Sequence, residues 1–196
     1  MHIRIANVHD AAAIANIHVE SWHTTYKGIV PDEFLARLSY VQREQLWRQV
    51  LTDPSKPSYV YVAEDDSGKV VGFVAGGPER SGDPVYTGEL YAIYLLAPYQ
   101  GQGIGRQLAI TLVKRLMQEG MTALLLWVLA ENSSWKFYEQ LGGRPVYEKT
   151  VSIGGVPLME VAYGWQAAHT LIEPPEPQHR TRFDGAGFQG TEPAGG

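Results

Sequence analysis

Two kinds of apolar periodicity alternate along most of the chain. A helix is indicated where apolar residues recur every three or four positions, and a strand where short apolar or alternating runs end in turn residues. The predicted strands are Ile3–Ala6, Tyr59–Ala63, Val70–Gly76, Val85–Leu96, Leu124–Leu129, Arg144–Ile153 and Leu158–Tyr163. The predicted helices are one that begins at Asp10 and others over Asp32–Leu38, Tyr40–Leu51, Ile104–Glu119 and Ser133–Leu141.

The order of these elements predicts one α/β domain over residues 1–165, with a mixed sheet flanked by helices. Hairpins come first, a βαβ-like unit follows, and a hairpin ends the domain. The strand Val85–Leu96 is long enough to suggest a bulge or bend. From Gln166 onward the chain is rich in proline and glycine, which predicts a flexible tail over 166–196; an arm that docks on a neighbouring subunit is the alternative.

A glycine-rich loop joins the strand Val85–Leu96 to the following helix. Gly101, Gly103 and Gly105 alternate just before the apolar stripe of that helix begins. The first amides of a helix have no partner inside it, and the helix dipole is positive at that end, so such a loop can hold a pyrophosphate. Glycine lets the backbone approach the phosphates closely. The loop therefore predicts a diphosphate site, or else a plain turn without a ligand.

Two common phosphate motifs do not fit this loop. A P-loop requires Gly-Lys-Ser/Thr, but Gly105 is followed by Arg106 and Gln107. A dinucleotide fingerprint requires G-x-G-x-x-G and an acidic residue about 20 positions later, and the chain has neither. A nucleotide-binding α/β domain that uses the same glycines stays open as a rival interpretation.

A third pattern, Gln/Arg-x-x-Gly-x-Gly, is met by Gln100, Gly103 and Gly105. It resembles the coenzyme A loop of the GCN5-related N-acetyltransferase (GNAT) superfamily. A second GNAT-like signature follows the strand Leu124–Leu129, with Asn132 at its end and Tyr138 six residues later on a short helix. Two signatures at the right separation are more specific than either alone, and the resemblance extends from Ile3 to Trp165.

The resemblance implies a GNAT-like fold with a central mixed, mostly antiparallel sheet of roughly six to seven strands, splayed at the acetyl-CoA site. It also implies a transferase that moves an acetyl group from acetyl-CoA to a primary amine by direct attack in a ternary complex. The amine could belong to a small molecule or a peptide. A non-catalytic CoA-binding regulatory module and a transferase of a longer acyl group are the alternatives.

The resemblance also assigns residues to the cosubstrate. Backbone groups of the strand would pair with the pantetheine amides, and the Leu95 amide would face the thioester oxygen. The amides of the glycine loop would hold the pyrophosphate. The implied cosubstrate-binding residues are Ile93, Tyr94, Leu95, Gln100, Gly101, Gln102, Gly103, Ile104, Gly105, Arg106 and Asn132.

Two residues are candidates for proton transfer. Tyr138 would be the acid that protonates the departing thiolate, because a phenol with a pKa near 10 is protonated at neutral pH. Glu89 would be the base, acting through water; an ion-pair role for Glu89 and an ordered water alone are the alternatives. Strand alternation predicts that Glu89, Tyr91, Ile93 and Leu95 share one face of the sheet.

Other residues lie where the first helices of the family wall the acceptor pocket. They are Glu20, Trp22, His23 and Tyr26. Aromatic rings and a carboxylate there would suit a cationic amine. The favoured interpretation is nevertheless core packing for Trp22 and solvent exposure for Glu20.

Composition narrows the remaining possibilities. The chain has 196 residues, a formal net charge of −5 and no cysteine. The negative charge argues against a nucleic-acid partner, and no apolar run is long enough to span a membrane. Without thiolates, and without histidines at a helical spacing, no metal site is expected. The cytoplasm is the expected location, and exposed edge strands leave a homodimer open.

Overall fold

The computed structural model describes residues 1–55 and 58–173. Within these ranges the strands form a single sheet in the order β1-β2-β3-β4-β5-β7-β6. The strands are β1 His2–Ile5, β2 Tyr59–Glu64, β3 Val70–Pro78, β4 Gly88–Leu95, β5 Leu124–Leu129, β6 Arg144–Ile153 and β7 Val156–Trp165. The helices are α1 Ala11–Thr25, α2 Asp32–Ala36, α3 Tyr40–Thr52, α4 Ile104–Gln118, α5 Trp135–Gln140 and α6 His169–Ile172. The predicted fold class is confirmed.

Helices cover both faces of this sheet. The apolar stripe of α4, including Leu108 and Leu112, is fully buried in one cluster with Val71 and Val74 of β3. On the other face Ile14 of α1 lies in a second cluster with Val62, Phe73 and Trp47. β3 is therefore buried on both sides, which explains why its sequence is an apolar run without alternation.

β3 and β4 pair along almost their whole length and contain one bulge. Ala75 lies opposite Ala92, but Gly76 lies opposite Leu90, so Tyr91 is the extra residue. Such a bulge changes which face the side chains on either side of it occupy. The bulge suggested by the length of the predicted strand is thus present.

The bulge overturns one prediction about faces. Ile93 and Leu95 pack in the cluster on the α4 side, together with Leu90. Tyr91 lies on the opposite side, in a groove that is also lined by His18 of α1. Glu89 precedes Leu90 and therefore points to the α1 side as well. The expectation that Glu89 shares a face with Ile93 and Leu95 is wrong.

β4 and β5 are parallel neighbours, but they pair at one end alone. Gly88 lies opposite Leu124 and Glu89 opposite Leu125, and no further pair forms between the two strands. Beyond this point β5 continues to pair with β7 as far as Leu129. β4 and β5 therefore separate, and a gap opens in the middle of the sheet.

The last described residues continue the domain beyond its predicted limit at residue 165. Ala168 and Leu171 are buried in the cluster formed around α4. Residues 166–173 thus belong to the packed domain rather than to the predicted tail. The rest of that tail, 174–196, lies outside the described residues. Among the helices that are described, none has both the length and the apolar character that crossing a membrane requires.

Candidate active site

An open cleft with a volume of about 680 Å³ lies between the glycine loop and α5. Its walls come from β4, from the start of α4 and from the segment that joins β5 to α5. The predicted site residues that line it are Ile93, Leu95, Gln100, Gly101, Gly103, Gly105, Arg106, Asn132 and Tyr138. Two segments that are distant in the sequence therefore meet across one cleft, as their resemblance to the two signatures predicts.

A smaller cavity of about 100 Å³ lies in the gap between β4 and β5. It shares Ile93, Leu95, Gln100, Asn132 and Tyr138 with the open cleft, so the two spaces adjoin. α1 closes the far side of the cavity. A ligand whose anionic end lies at the glycine loop could extend its other end into the sheet.

The glycine loop leaves the first amides of α4 facing the cleft. Gly101 and Gly103 have φ angles of +72° and +79°, in the left-handed region that favours glycine. Gly103 forms the helix N-cap, and the first backbone bond of the helix runs from the Gln107 N–H to the Gly103 carbonyl. The amides that precede Gln107 in the helix have no intrahelical acceptor and can bind an anion.

Gln102 and Ile104, two of the predicted residues, do not line the cleft with their side chains. The Gln102 amide donates to the Pro98 carbonyl at 2.8 Å and braces the loop from outside. Ile104 is 4% exposed and anchors the start of α4 in the core. Both residues therefore fix the loop, and what they offer to a ligand is their backbone.

The backbone of β4 has one edge on β3 and the other on the gap. The Leu96 amide donates to the Val71 carbonyl of β3. Because every second residue of a strand directs its backbone groups to the same neighbour, Tyr94 also points its backbone groups to β3. Ile93 and Leu95 consequently point theirs to the gap. The Gln100 side-chain amide donates to the Leu95 carbonyl at 3.0 Å from that side. A ligand amide could take the place of this donor.

Tyr94 differs from its two neighbours. By the same alternation its backbone groups face β3, so they are not available to a ligand in the gap. Its side chain lines the gap cavity instead. With its backbone on β3, Tyr94 can contact a cosubstrate in the gap only through its side chain, and its place among the cosubstrate-binding residues stays a prediction.

Tyr138 lies on α5 at the junction of the cleft and the gap cavity. It is 9% exposed, and burial, assisted by the nearby Tyr26, raises the pKa of its phenol well above the ordinary value. Within the described residues no side chain hydrogen-bonds to its hydroxyl. The hydroxyl is therefore protonated at neutral pH and has its hydrogen available for a ligand.

Asn132 stands at the end of β5 and is 4% exposed. Its side-chain oxygen accepts a hydrogen bond from the Ser134 amide at 2.9 Å, which shapes the turn before α5. The side-chain nitrogen remains on the cavity side, close to the Tyr26 hydroxyl. Asn132 thus has a structural role, and it also lines both cavities.

Hydroxyl groups of aromatic residues form the α1 side of the gap cavity. The Trp22 indole donates to the Tyr94 hydroxyl at 3.0 Å, and the Tyr26 hydroxyl is 3.4 Å from that of Tyr94. Burial raises the pKa of both phenols. This wall is polar but uncharged.

Glu89 is held by an arginine that the sequence pattern did not identify. Both carboxylate oxygens accept hydrogen bonds from the Arg80 guanidinium, one of them at 2.9 Å from Nε. Arg80 also lies over the ring of Tyr91, at 4.3 Å from its centroid. Glu89 is 3% exposed and its side chain lies outside the linings of the cleft and the gap cavity.

Comparison with known proteins fits this geometry. The family model described as the acetyltransferase (GNAT) family matches residues 13–143. The chain belongs to the GNAT family of acetyltransferases. It is 40% identical over 173 residues to the uncharacterized N-acetyltransferase YuaI of Bacillus subtilis (strain 168), covering 87% of this chain and 97% of YuaI.

Two further relatives carry information about ligands. The spermidine N(1)-acetyltransferase of Thermoplasma acidophilum is 24% identical over 146 residues, which is 72% of this chain and 87% of that protein. The structure of yncA from Salmonella typhimurium, solved with its cofactor acetyl-CoA, is 25% identical with a TM-score of 0.63 and covers 85% of this chain and 93% of that one.

Two polar residues of α1 in the acetyltransferase line the gap cavity, although the sequence pattern did not mark them as functional. Ser21 and Thr25, on one face of α1, line the gap cavity. Ser21 falls on the apolar stripe that also contains Ile14 and Ile17. A polar residue at a buried helical position was the signal that could have identified it.

Proposed function

We propose that this enzyme transfers an acetyl group from acetyl-CoA to a primary amine by direct attack in a ternary complex. One observation carries the proposal: the gap cavity between β4 and β5 adjoins the cleft at the glycine loop, and Tyr138 lines both spaces. The diphosphate and the thioester of one extended molecule would thus find complementary groups in two adjoining spaces.

The cosubstrate would be bound largely by backbone groups. The amides from Gly101 to Arg106 would hold the pyrophosphate at the positive end of α4. The exposed edge of β4 at Ile93 and Leu95 would pair with the pantetheine as an added strand does. The Gln100 amide would leave the Leu95 carbonyl to a pantetheine N–H, and the Leu95 N–H would donate to the thioester oxygen.

Starting from an alkylammonium, the reaction removes two protons from nitrogen, one before and one after the attack, and adds one proton to sulfur. The acceptor is first deprotonated, because an alkylammonium has a pKa of about 10. The amine nitrogen bonds to the thioester carbon, the carbon–sulfur bond breaks, and its electron pair leaves on sulfur. The nitrogen loses one proton and sulfur gains one, giving an amide and the CoA thiol. Tyr138 would supply the proton to sulfur, because burial in the cavity would raise the pKa of the CoA thiol as it raises that of the phenol.

Glu89 is the proposed base, and it would act through water. Its carboxylate is bound by Arg80 and lies on the α1 side of β4, from which the acceptor would approach. A water chain along Tyr91 would have to connect it with the amine. Ordered water without Glu89 is the competing route.

The size of the gap cavity favours a short acyl group. The gap cavity, at about 100 Å³, is much smaller than the open cleft, at about 680 Å³, so the acyl end of the ligand has less room than its diphosphate end. The thioester and an acetyl methyl group would fill much of it. Acetyl-CoA is available in the cytoplasm, where we expect the enzyme to act on a small-molecule or peptide amine.

The first test is acetyl transfer to an amine panel, measured by release of the CoA thiol. The panel contains spermidine, an aminoglycoside, an amino acid and a peptide with a free N-terminus, each with acetyl-CoA or a longer acyl-CoA. We expect acetyl transfer to at least one amine. Tight binding of acetyl-CoA in calorimetry without turnover would instead indicate a regulatory module, and preferential binding of ATP or NAD would overturn the CoA assignment.

Two variants test the proton transfers. Tyr138→Phe should lower kcat by about 100-fold, the usual contribution of a general acid, and leave the acetyl-CoA affinity nearly intact. Tyr147→Phe, on the exposed part of β6, is the matched control. An unchanged kcat in Tyr138→Phe would discard the acid role.

Glu89→Gln keeps the shape of the side chain and removes its charge. If Glu89 is the base, the variant should lose about 10- to 100-fold in kcat. The companion variant Arg80→Gln should keep substantial turnover, since it leaves the carboxylate in place. Equal losses in both variants would assign the pair a structural role.

A further inference from the structure

The groove on the α1 side of β4 has a volume of about 470 Å³ and mostly apolar walls. Leu46, Trp47 and Val50 of α3 line it, together with Tyr91 and Ala92 of β4. Leu46 is 45% exposed, so the groove presents an apolar side chain to water. Sites for small molecules have volumes of about 300–1,000 Å³ and are lined largely by apolar side chains. The groove is therefore large enough for a small organic ligand.

His18 of α1 gives this groove a hydrogen-bond donor without a partner. The residue is 9% exposed, and it lines the groove but neither the cleft nor the gap cavity. Burial lowers the pKa of His18 to about 3, so the ring is neutral at pH 7. Its Nδ1 accepts from the Trp47 indole at 3.3 Å, and an indole N–H can only donate, so the imidazole proton is on Nε2. Nε2 is not fully buried and has no partner among the described residues, which leaves its N–H available to a ligand in the groove.

The groove adjoins the gap cavity at β4. Tyr91 and Ala92 line both spaces, and the ring of His18 stacks on Tyr94, whose side chain lines the gap cavity. The open cleft adjoins the gap cavity through other residues, such as Tyr138. A cosubstrate in the cleft and a second substrate in the groove could therefore approach the gap cavity from different sides.

The charged side chains at the groove are already engaged within the protein. The Arg80 guanidinium donates to both carboxylate oxygens of Glu89. The carboxylate of Glu79 accepts from the backbone amides of Ser81 and Asp83 in its own loop. An ammonium group in the groove would thus meet no unengaged carboxylate among the described residues that line it, which disfavours a polyamine. The groove suits an apolar, uncharged body.

We propose that the groove holds the body of the acceptor, a small primary amine with an apolar group and a neutral oxygen that accepts a hydrogen bond from His18 Nε2. This inference rests on the proposed acetyl transfer and adds the chemical class of its second substrate. The amine nitrogen would enter the gap cavity beside Tyr91 and Ala92, and the apolar group would lie against Leu46 and Trp47. An α-amino amide such as leucinamide combines these groups.

The first test compares wild-type kcat/KM for four amines at saturating acetyl-CoA. Leucinamide has both recognition groups, glycinamide lacks the apolar group, 3-methylbutylamine lacks the oxygen, and spermidine has additional ammonium groups. We expect kcat/KM for leucinamide to exceed that for glycinamide by about tenfold or more, because the apolar group is buried in the groove. It should also exceed that for spermidine. An equal or higher value for glycinamide or spermidine would overturn the inference, while the acetyl transfer would stand.

Leu46→Gln tests the apolar wall with little risk to the fold, because this side chain is 45% exposed. The variant should lower kcat/KM for leucinamide by about three- to tenfold and leave the Kd for acetyl-CoA unchanged. Val41→Gln, on the same helix, is the matched control: Val41 is 65% exposed and does not line the groove, so the variant should behave as wild type. Equal kcat/KM for leucinamide in the two variants would contradict an acceptor site in the groove.

His18→Phe removes the donor and keeps a ring that can stack on Tyr94. The measured quantity is the ratio of kcat/KM for leucinamide to kcat/KM for 3-methylbutylamine. Loss of the hydrogen bond should lower this ratio by about three- to tenfold relative to wild type, because leucinamide has the oxygen and 3-methylbutylamine does not. A purely structural defect would lower both values equally, and an unchanged ratio would overturn the role of His18.

Failure of the parent proposal has a different signature. If wild type acetylated none of these amines and none of the earlier panel, the proposed function would fail, and this inference with it. Acetylation of another amine of the panel but not of leucinamide would overturn this inference alone. A structure of the complex with CoA and leucinamide gives a direct check. It should place the amide oxygen within hydrogen-bond distance of His18 Nε2, and leucinamide bound outside the groove would contradict the proposal.

Discussion

The two edges of β4 differ in how much of their backbone is paired with a neighbouring strand. On one edge β4 pairs with β3 from Gly88 to Leu95, interrupted by a single bulge. On the other edge it pairs with β5 at Gly88 and Glu89 and then leaves its backbone open. One strand thus combines a rigid support with an unsatisfied edge. An enzyme can bind an extended amide ligand by this means without using side chains for it.

Close packing explains why the gap opens at one end. A Cβ atom on Gly88 would lie 2.5 Å from Leu124 Cδ2, so the strands can touch there because position 88 is glycine. Farther along, the space beside β4 is lined by Tyr138, Asn132 and Leu126 instead of a paired strand. The difference between the two edges is therefore a packing effect.

The largest predicted effect concerns the supported face of β4, where His18 stacks on Tyr94 at 5.1 Å. Burial lowers the pKa of His18 to about 3, and its Nδ1 accepts from the Trp47 indole at 3.3 Å. An unfolded histidine has a pKa of about 6.5, so this stability is complete above that pH and is lost as the pH falls towards 3.

Between pH 7 and pH 4 this loss should amount to roughly 3 kcal/mol in the free energy of unfolding. Urea unfolding of wild type and His18→Gln at both pH values measures it. His18→Gln has no imidazole to protonate. Between pH 7 and pH 4 its free energy of unfolding should therefore fall by roughly 3 kcal/mol less than that of wild type. Parallel pH dependence in the two proteins would refute the assignment.

The second effect concerns the open side and distinguishes ligand binding from backbone strain. Gly103 and Gly120 stand at opposite ends of α4 with φ angles of +79° and +83°, and a Cβ atom at either position would have no neighbour within 4 Å among the described residues. Alanine at either position should cost about 1 kcal/mol of stability. Only Gly103→Ala should also weaken acetyl-CoA binding, by about 10- to 100-fold, because it disturbs the amides at the start of α4.

Isothermal titration calorimetry and thermal unfolding of the two variants check this prediction. Equal affinities for acetyl-CoA in Gly103→Ala and Gly120→Ala would contradict the role of the glycine loop in binding acetyl-CoA.

The third effect compares the two edges of β4 directly. A Cβ atom on Gly76, in β3, would lie 2.6 Å from the Glu89 carbonyl oxygen. This oxygen belongs to the backbone of the paired strand β4, so it cannot move away without disturbing the sheet. A Cβ on Gly105, beside the gap, would make ordinary contacts at 3.5 Å with Leu95 and Phe137. Gly76→Ala should therefore lose about 2 kcal/mol of stability by overpacking, and Gly105→Ala almost none. Similar losses in urea unfolding would argue that both edges are equally tight.

The parts of the fold that depend on local patterns could be predicted from the sequence. β5 at Leu124–Leu129 and β6 at Arg144–Ile153 have the predicted bounds, because turn residues flank apolar or alternating runs. The glycine loop could be predicted for a similar reason, since positive φ angles require glycine at Gly101 and Gly103. The meeting of this loop with Tyr138 followed from the resemblance to a family.

The remainder depends on pairings between distant residues. A bulge was suggested, but its position at Tyr91 depends on the register with β3, and this position set the side on which Glu89 lies. The pairing of Arg80 with Glu89 depends on the loop after β3. The buried, unpartnered hydroxyl of Ser21 emerges only when α1 is placed across the gap. Each of these features is decided by tertiary packing.

A crystal structure of the complex with acetyl-CoA tests the central claim most directly. It should show the pyrophosphate against the amides from Gly101 to Arg106, the Gln100 amide displaced from the Leu95 carbonyl, and the thioester in the gap within reach of the Tyr138 hydroxyl. Acetyl-CoA bound outside the gap, with β4 and β5 closed by side chains between them, would contradict the account.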